Sequence, residues 1–334
     1  MMSERPKTRH PGRREVMLFL GGAIAALRTT AAEGTEPAHI GFISGGDERG
    51  ATSFVAALRD GLAVDGYREP DTLNLDLLYA DYELDRIPAL VAEHERRHVK
   101  LIVTHAAATP IIVKGKRTVP VVYEFSADPV ATGIATDLAH PLFNATGITL
   151  MKAELNGKRL EFLHEIAPEI HRVAVIANPL HAGEELERAD LSAKAELLGI
   201  RIDFFATPNR AELDRALDAI KADPPQAIVA FSEGFVVENR EPIINFAMSQ
   251  RLPVVSGWAV MAKSGALLTY GPRLVESNRR SAYFAARILQ GVKPEELPIE
   301  QPTVLEFVLN LRNAKTLGLD IPLTLLARAD EIIE

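Results

Sequence analysis

The sequence has no cysteine, one tryptophan in 334 residues, and only 6% aromatic residues. Without cysteine there is no thiolate metal site, no cysteine nucleophile, no Fe–S ligation, no disulfide framework and no attachment point for a lipoprotein anchor. No apolar run reaches the roughly 18–20 residues that a bilayer-spanning helix needs. Basic residues are outnumbered, 37 Lys and Arg against 45 Asp and Glu, for a net charge of −8. That balance argues against a general nucleic-acid binder, which needs a basic footprint. What is present is ordinary for a globular protein: 47% apolar residues, enough to exclude disorder and multi-span membrane classes. The length suits about two domains.

The charge is unevenly spread. Residues 1–32 carry six basic side chains (Arg5, Lys7, Arg9, Arg13, Arg14, Arg28) against Glu4 and Glu15, or +4, which leaves −12 for the remainder. An apolar run, Val16 to Leu27, follows the basic stretch and precedes the small residues Thr29, Thr30, Ala31 and Ala32. Its twelve residues rise about 18 Å as a helix, short of a bilayer core of about 30 Å. Basic, apolar, then small is the order of a secretory signal peptide. Arg13-Arg14 directly before a mildly hydrophobic, glycine-containing run favours the twin-arginine export route. The reading is an exported, soluble, unanchored mature chain beginning near Ala32 to Glu33.

From Ala38 onward short β-branched runs alternate with amphipathic segments. His39–Ile43, Leu73–Tyr79, Leu101–Thr104 and Val119–Tyr123 read as strands, separated by helices over Ser53–Val64, Leu84–His98 and a short third segment. The pattern then repeats. Val173–Ala177, Ile202–Phe205, Ala227–Phe231 and Leu252–Val255 are strands, with helices over Leu186–Leu198, Ala211–Ala222 and about Glu241–Gln250 between them. Apolar strands joined by helices form parallel sheets buried on both faces. The expected fold is α/β, two Rossmann-like doubly wound lobes, with ligand bound at the carboxyl ends of the strands in the cleft between them. Crossings between lobes are expected near Leu150–Leu155, after a strand at Ala145–Leu150, and near Tyr270–Arg273. The helix Asn278–Leu289, a proline-rich stretch, a last strand at Thr303–Leu309 and a short helix Ala314–Leu317 complete the chain. Lobe 1 is expected over 37–152 plus about 274–300, and lobe 2 over 153–273 plus about 301–334.

Motifs for catalysis are missing: there is no G-x-S-x-G, no G-x-G-x-x-G and no phosphate-binding P-loop. His94-Glu95-Arg96-Arg97-His98 matches the H-E-x-x-H zinc pattern, but its helix runs at once into a strand of a βαβ unit and no third ligand helix follows. It is read as a helix end, with no metal, cofactor or catalytic residue assigned. Strand ends supply the ligand-binding candidates: Ser44, Gly45, Tyr79, Thr104, His105, Ser126 and Asp128 from the first half, and Asn178, Ser232, Glu233, Trp258 and Tyr270 from the second. Ser44-Gly45-Gly46 is either a plain turn or a turn whose N–H groups, with the following helix N-terminus, face an anion. Glu233 and Asp128 suit a ligand ammonium or a helix cap equally; Asp128-Pro129 fits a helix start. Trp258 stands past a strand end, in the cleft or in packing. His105 reads as a hydrogen-bonded strand end rather than a catalyst.

An ordered set of short blocks carries a family resemblance across nearly the whole mature chain. The first are the Arg13-Arg14 leader, Ile40-Gly41-Phe42, Gly61-Leu62 with Gly66-Tyr67, and Arg86-Ile87-Pro88-Ala89-Leu90. Next come Asp128-Pro129-Val130-Ala131-Thr132-Gly133, Asn144-Ala145-Thr146-Gly147, Lys158-Arg159-Leu160-Glu161, and Arg172-Val173-Ala174-Val175 with Asn178-Pro179. Tyr270-Gly271-Pro272, Glu300-Gln301-Pro302-Thr303, Leu317-Gly318-Leu319 with Ile321-Pro322, and Arg328-Ala329-Asp330-Glu331 complete it. In these the sequence resembles the ABC-transporter substrate-binding proteins of the tryptophan/tyrosine (TrpX-like) group, within the type I periplasmic binding fold. The resemblance implies capture of a small solute, such as an amino acid or aromatic acid, and its delivery to a membrane ABC permease. The implied protein is periplasmic, monomeric, non-enzymatic, and without a nucleic-acid partner. It places Ser44, Ser126, Asp128, Asn178 and Ser232 on cleft loops. The chain departs from the group at His140-Pro141-Leu142-Phe143-Asn144, where Arg-Pro-Gly-Gly-Asn is common. A periplasmic sensor feeding a signalling partner has the same fold and is the alternative.

Overall fold

The structure is a computed structural model and describes residues 36–150 and 155–334. The expected leader over residues 1–32 lies outside the described residues, as does most of the expected crossing at 150–155.

The first sheet is built from β1 (Ala38–Ser44), β2 (Leu73–Tyr79), β3 (Leu101–His105), β4 (Val121–Phe125) and β7 (Ala145–Thr149). Its order is β2-β1-β3-β4-β7 and every pairing is parallel. Side chains alternate across it as pleating requires. Ile40 and Phe42 of β1 face one apolar cluster, shared with α1 (Glu48–Val64) and α10 (Leu274–Leu289). Ile43 faces another, shared with α2 (Ile87–Arg96) and α3 (Ala108–Lys114). A short ribbon of β5 (Ala135–Asp137) and β6 (His140–Pro141) sits between β4 and β7 in the chain.

The second sheet has the order β14-β13-β12-β11-β10-β8-β9. Its parallel part is β8 (Arg172–Ala177), β9 (Arg201–Ala206), β10 (Ala227–Ala230), β11 (Val254–Ser256) and β12 (Leu268–Pro272). Val173, Val175 and Ala177 face α4 (Leu155–Ile166) and α5 (Glu184–Leu198), while Ala174 and Ile176 face α6 (Arg210–Ala222) and α8 (Arg240–Ser249). Two short helices, α7 (Gly234–Glu238) and α9 (Ala259–Ser264), follow β10 and β11. The sheet is not parallel throughout: β13 (Leu305–Asn310) pairs antiparallel with β12, Leu268 opposite Leu309 and Pro272 opposite Leu305. After β12 the chain leaves for the first sheet as α10 and returns past Glu300, so β13 enters the second sheet from the end at which β12 left it. A strand entering from that end must run antiparallel. Helices α11 (Leu311–Leu317) and α12 (Leu323–Leu326) then lead to β14 (Glu331–Ile333), parallel to β13.

Helix α10 packs on α1 and under β3, β4 and β7 of the first sheet. The close approach depends on Gly61, where a Cβ would stand 2.5 Å from Ala282 Cβ and 2.7 Å from the Arg279 carbonyl oxygen. Both helices begin about one turn before the expected positions. Asp47 caps α1, accepting from the Gly50 N–H at 2.8 Å, and α10 starts directly after Pro272-Arg273. The polar first turn of α1, Glu48-Arg49-Gly50, carries no apolar stripe, so periodicity alone misses it; α10 opens with Leu274-Val275 directly behind a Pro272 turn signal. The loop that departs from the resembled family keeps a left-handed backbone at Phe143 (φ 58°) and Asn144 (φ 51°). That conformation suits glycine better; here Arg117 donates to the Phe143 carbonyl.

Candidate functional site

A cavity of about 870 Å³ lies between the carboxyl ends of the two sheets. The first lobe lines it with Phe54 of α1, His105 and Ala106 at the end of β3, Glu124 and Ser126 of the β4 end, Leu150, and Asn278 of α10. The second contributes Gly234 and Val237 of α7, and Trp258 and Ala259 at the head of α9. Of the twelve expected residues, His105, Ser126 and Trp258 line this cavity.

The His105 ring stacks on Phe54 at 4.8 Å and on Phe42 at 5.6 Å between centroids. Burial pulls its pKa down to about 4, so the imidazole is neutral at physiological pH. Its Nε2 lies 3.1 Å from Ser44 Oγ, so Ser44, itself buried, holds the ring from behind. Trp258 is 7% exposed; it both lines the cavity and packs in the apolar cluster beneath it. Ser126 Oγ is 2.8 Å from Nε2 of His181, a residue of the second lobe.

Glu124 is the site's unusual group. It is 5% exposed, and burial pushes its pKa up to about 8. With the Asn278 amide turned so that its nitrogen faces the carboxyl, that nitrogen donates to Glu124 and, at 2.9 Å, to the Leu274 carbonyl. Among the described residues no cation pairs with Glu124. A buried carboxyl whose only partner is a neutral amide favours its protonated form in the empty site, and favours a cation brought in by a ligand.

The second lobe buries more ionisable groups beneath its strand ends. Arg159 of α4 is 3% exposed, donates from Nε to the Tyr270 carbonyl at 2.8 Å and from Nη1 to Asn156. Burial lowers its pKa to about 10, which leaves it protonated at neutral pH. Burial pushes Glu187 up to about 8 and His181 down to about 4. Both are therefore neutral near pH 7, and their 4.0 Å approach is not an ion pair. Gly257 lets the guanidinium close in: a Cβ there would stand 2.0 Å from Ser232 Oγ and 2.3 Å from Arg159 Nη2.

The remaining expected residues are engaged around the cavity rather than lining it. Gly45 packs against Leu84 and Ala108. Thr104 donates to the Ile43 carbonyl at 2.9 Å and ties β3 to β1. Tyr79 lies in edge strand β2 with its ring edge on Phe42. Asp128 does not start a helix: its carboxylate accepts from the N–H of Val130 at 2.7 Å and closes a turn that ends at Gly133, φ +68°. Glu233 caps α7, accepting from the N–H groups of Phe235 at 2.9 Å and Val236 at 2.6 Å. Burial pushes its pKa up to about 7 against those bonds and one from Asn178. Asn178 Oδ1 accepts from the Leu180 N–H at 3.0 Å. The Tyr270 ring belongs to an aromatic cluster with Phe162 and Phe307, and only its carbonyl points to Arg159. His94 is a core histidine, fully buried, Nε2 3.1 Å from the Phe42 carbonyl oxygen. Among the described residues no three metal-binding side chains converge.

Phe54, Glu124, Arg159, His181 and Asn278 were not singled out from sequence. One signal was available: Glu124 interrupts Val121–Phe125, a strand that must be buried on both faces, and a lone carboxylate there needs a reason.

Two lobes with parallel sheets, a chain that passes between them more than once, and a cavity at facing strand ends define a type I periplasmic binding fold. Residues 42–333 match the family model described as "ABC transporter substrate binding protein". The chain belongs to that family, and its role is solute binding. No curated protein matches the sequence. Among solved structures it is similar to a conserved domain protein from Vibrio cholerae (24% identity, TM-score 0.81, 88% of this chain and 99% of that one). It is also similar to an ABC domain in complex with L-Trp from Streptococcus pneumonia (19% identity, TM-score 0.81, 89% and 100%). A third is a ligand-free, open substrate-binding protein with adhesive properties from Clostridium difficile (16% identity, TM-score 0.63, 88% and 99%).

Proposed function

We propose that this protein is the extracytoplasmic receptor of an ABC-type importer, which holds a small amphipathic solute (an amino acid or aromatic acid) in the inter-lobe cavity and delivers it to a membrane permease. The observation that carries the reading is the composition of that cavity. Three rings, Phe54, His105 and Trp258, and the buried polar groups Glu124, Ser126 and Asn278 line it, together with exposed charged side chains such as Arg49, Lys263, Arg273 and Arg279. A mostly apolar chamber with a few convergent polar groups is what a small ligand with one polar end requires. Glu124 is the group matched to a solute ammonium. At about 870 Å³ the cavity lies within the size range of small-ligand sites. Closure follows from contacts available only when both lobes meet the solute, so the solute shifts an open–closed equilibrium. The segments between β12 and α10 and before β13 act as the hinge. The basic and apolar leader supports export, and among the described residues no helix is long and apolar enough to cross a membrane. The receptor works as a monomer.

A thermal-shift screen over amino acids, aromatic acids and nucleosides tests the reading. At least one amine-bearing aromatic compound raises the melting temperature saturably. Trp258→Ala weakens that compound about tenfold or more, the effect of deleting a buried aromatic anchor. Turnover of a compound with no stabilisation by any would overturn the reading.

A further inference from the structure

At the mouth of the cavity the two lobes touch through the side chains of Tyr82 and Glu238, the second of which also lines the cavity. Tyr82, in the loop after β2, donates from its hydroxyl to Glu238 Oε2 at 2.7 Å, and Glu238 ends α7 in the other lobe. The carboxylate lies over the N-terminal end of the 17-residue helix α1. A Cβ at Gly50 would stand 2.6 Å from Glu238 Oε1, and one at Gly46 3.0 Å from it. The helix dipole favours an anion there; Asp47 already accepts from the Gly50 N–H, and Glu238 adds a second carboxyl over this end, its pKa raised by burial.

The loop that presents Tyr82 is held in a costly conformation. Asp81 and Tyr82 both have left-handed backbones, φ 53° and 67°, which non-glycine residues adopt only when neighbours enforce them. The Asp81 and Tyr82 N–H groups donate to the carbonyls of Gly46 and Gly45 at 3.2 and 2.9 Å. Arg86 pairs with the Asp81 carboxylate at 2.8 Å. Folding alone does not need this: Tyr82 is 49% exposed and its ring contributes little to the core. What the strained turn achieves is to hold the phenol over the cleft, between Asp47 of its own lobe and Glu238 of the other.

We infer that Tyr82 and Glu238 form a clasp that holds the lobes shut across the mouth of the cavity, and so set how readily the protein opens to take up or release its solute. The clasp is a property of the solute-free chain; its consequence for solute release rests on the cavity being the binding site. Opening must break the Tyr82–Glu238 hydrogen bond and draw the carboxyl off the helix end, together with the Ser126–His181 contact deeper between the lobes.

The absence of cysteine permits a direct test. Asp85→Cys on the first lobe and Asn245→Cys on the second are exposed positions, and they carry the only thiols for a pair of spin labels. In the solute-free labelled chain, pulsed electron–electron distance measurement is expected to show a short, closed population. Tyr82→Phe and Glu238→Gln are each expected to lower the closed-to-open ratio about tenfold, the scale for losing a hydrogen bond to a charged group. The double variant should do no more than the stronger single one, because both remove one contact. A distance distribution unchanged in both variants, or an open distribution in the parent, overturns the clasp and leaves the solute screen unaffected. Failure of the solute screen with a working clasp overturns the cavity reading alone.

Discussion

Glu124→Gln is expected to make the solute-free protein more stable and, at the same time, a poorer binder of amine-bearing solutes. The carboxyl is raised from 4.5 to about 8 by burial, so over that range the folded chain holds a proton that the unfolded chain has released. Folding stability therefore falls as pH rises from about 4.5 and reaches its floor near pH 8. At about 1.4 kcal/mol for each tenfold change, the loss approaches about 5 kcal/mol as an upper limit. Glutamine fills the same space, keeps a partner for Asn278 and cannot ionise. The variant should match the parent near pH 4 and gain over it steadily toward pH 8, read from denaturant midpoints at several pH values. Parallel profiles would contradict a neutral, buried Glu124. Affinity moves the other way. An ammonium beside Glu124 restores its charge and makes a charge-assisted bond, so glutamine should weaken an amine ligand roughly 10- to 100-fold while sparing the matching acid without an amine. Calorimetry on the pair checks this; equal losses for both compounds would remove Glu124 from recognition.

Arg159→Met is expected to destabilise the second lobe by about 1–3 kcal/mol, the penalty for leaving buried acceptors without their donor. The guanidinium is nearly fully buried, bonds the Tyr270 carbonyl at 2.8 Å and Asn156, and supplies the positive charge nearest Glu187. Methionine fills the volume but leaves the Tyr270 carbonyl without its donor. The effect should be lobe-specific. Amide hydrogen exchange should accelerate in β8, β10, β11 and β12 well before it does in β1, β3 and β4. Loss concentrated in the first sheet, or no loss, would contradict the placement of Arg159. Adding Glu187→Gln should recover part of the stability above pH 8, where an ionised Glu187 would otherwise stand without its opposite charge.

The duplicated strand–helix rhythm was legible because both sheets are buried on two faces, which forces uninterrupted apolar runs such as Val173–Ala177 and Val121-Val122. What escaped has physical causes. β12 was read as a linker because Tyr270-Gly271-Pro272 carries turn residues, yet Tyr270 packs on Phe162 and Phe307 and Gly271 fits against the Gly257 carbonyl. The antiparallel β13 depends on where α10 returns the chain, which is a tertiary fact. Strand ends located the site's neighbourhood, but local chemistry engaged Asp128 and Asn178 in turns and Glu233 as a helix cap. Phe54 and Asn278 reach the cavity from helix faces that look like core in sequence. Arg159 sits in a mostly charged block, Lys158-Arg159-Leu160-Glu161; Glu161 pairs with Lys158 and Lys194, while Arg159 is buried beside Leu160.

The central claim is that a solute sits between the two lobes against Phe54, His105, Trp258 and Glu124. The most direct test is a crystal structure of the protein with the compound that stabilises it most in the thermal screen. The expected result is one molecule enclosed by both sheets' carboxyl ends, its rings or apolar part among those three side chains and its amine within hydrogen-bonding distance of the Glu124 carboxylate. Saturable binding with the compound found elsewhere, and that cavity filled only by solvent, would contradict the account.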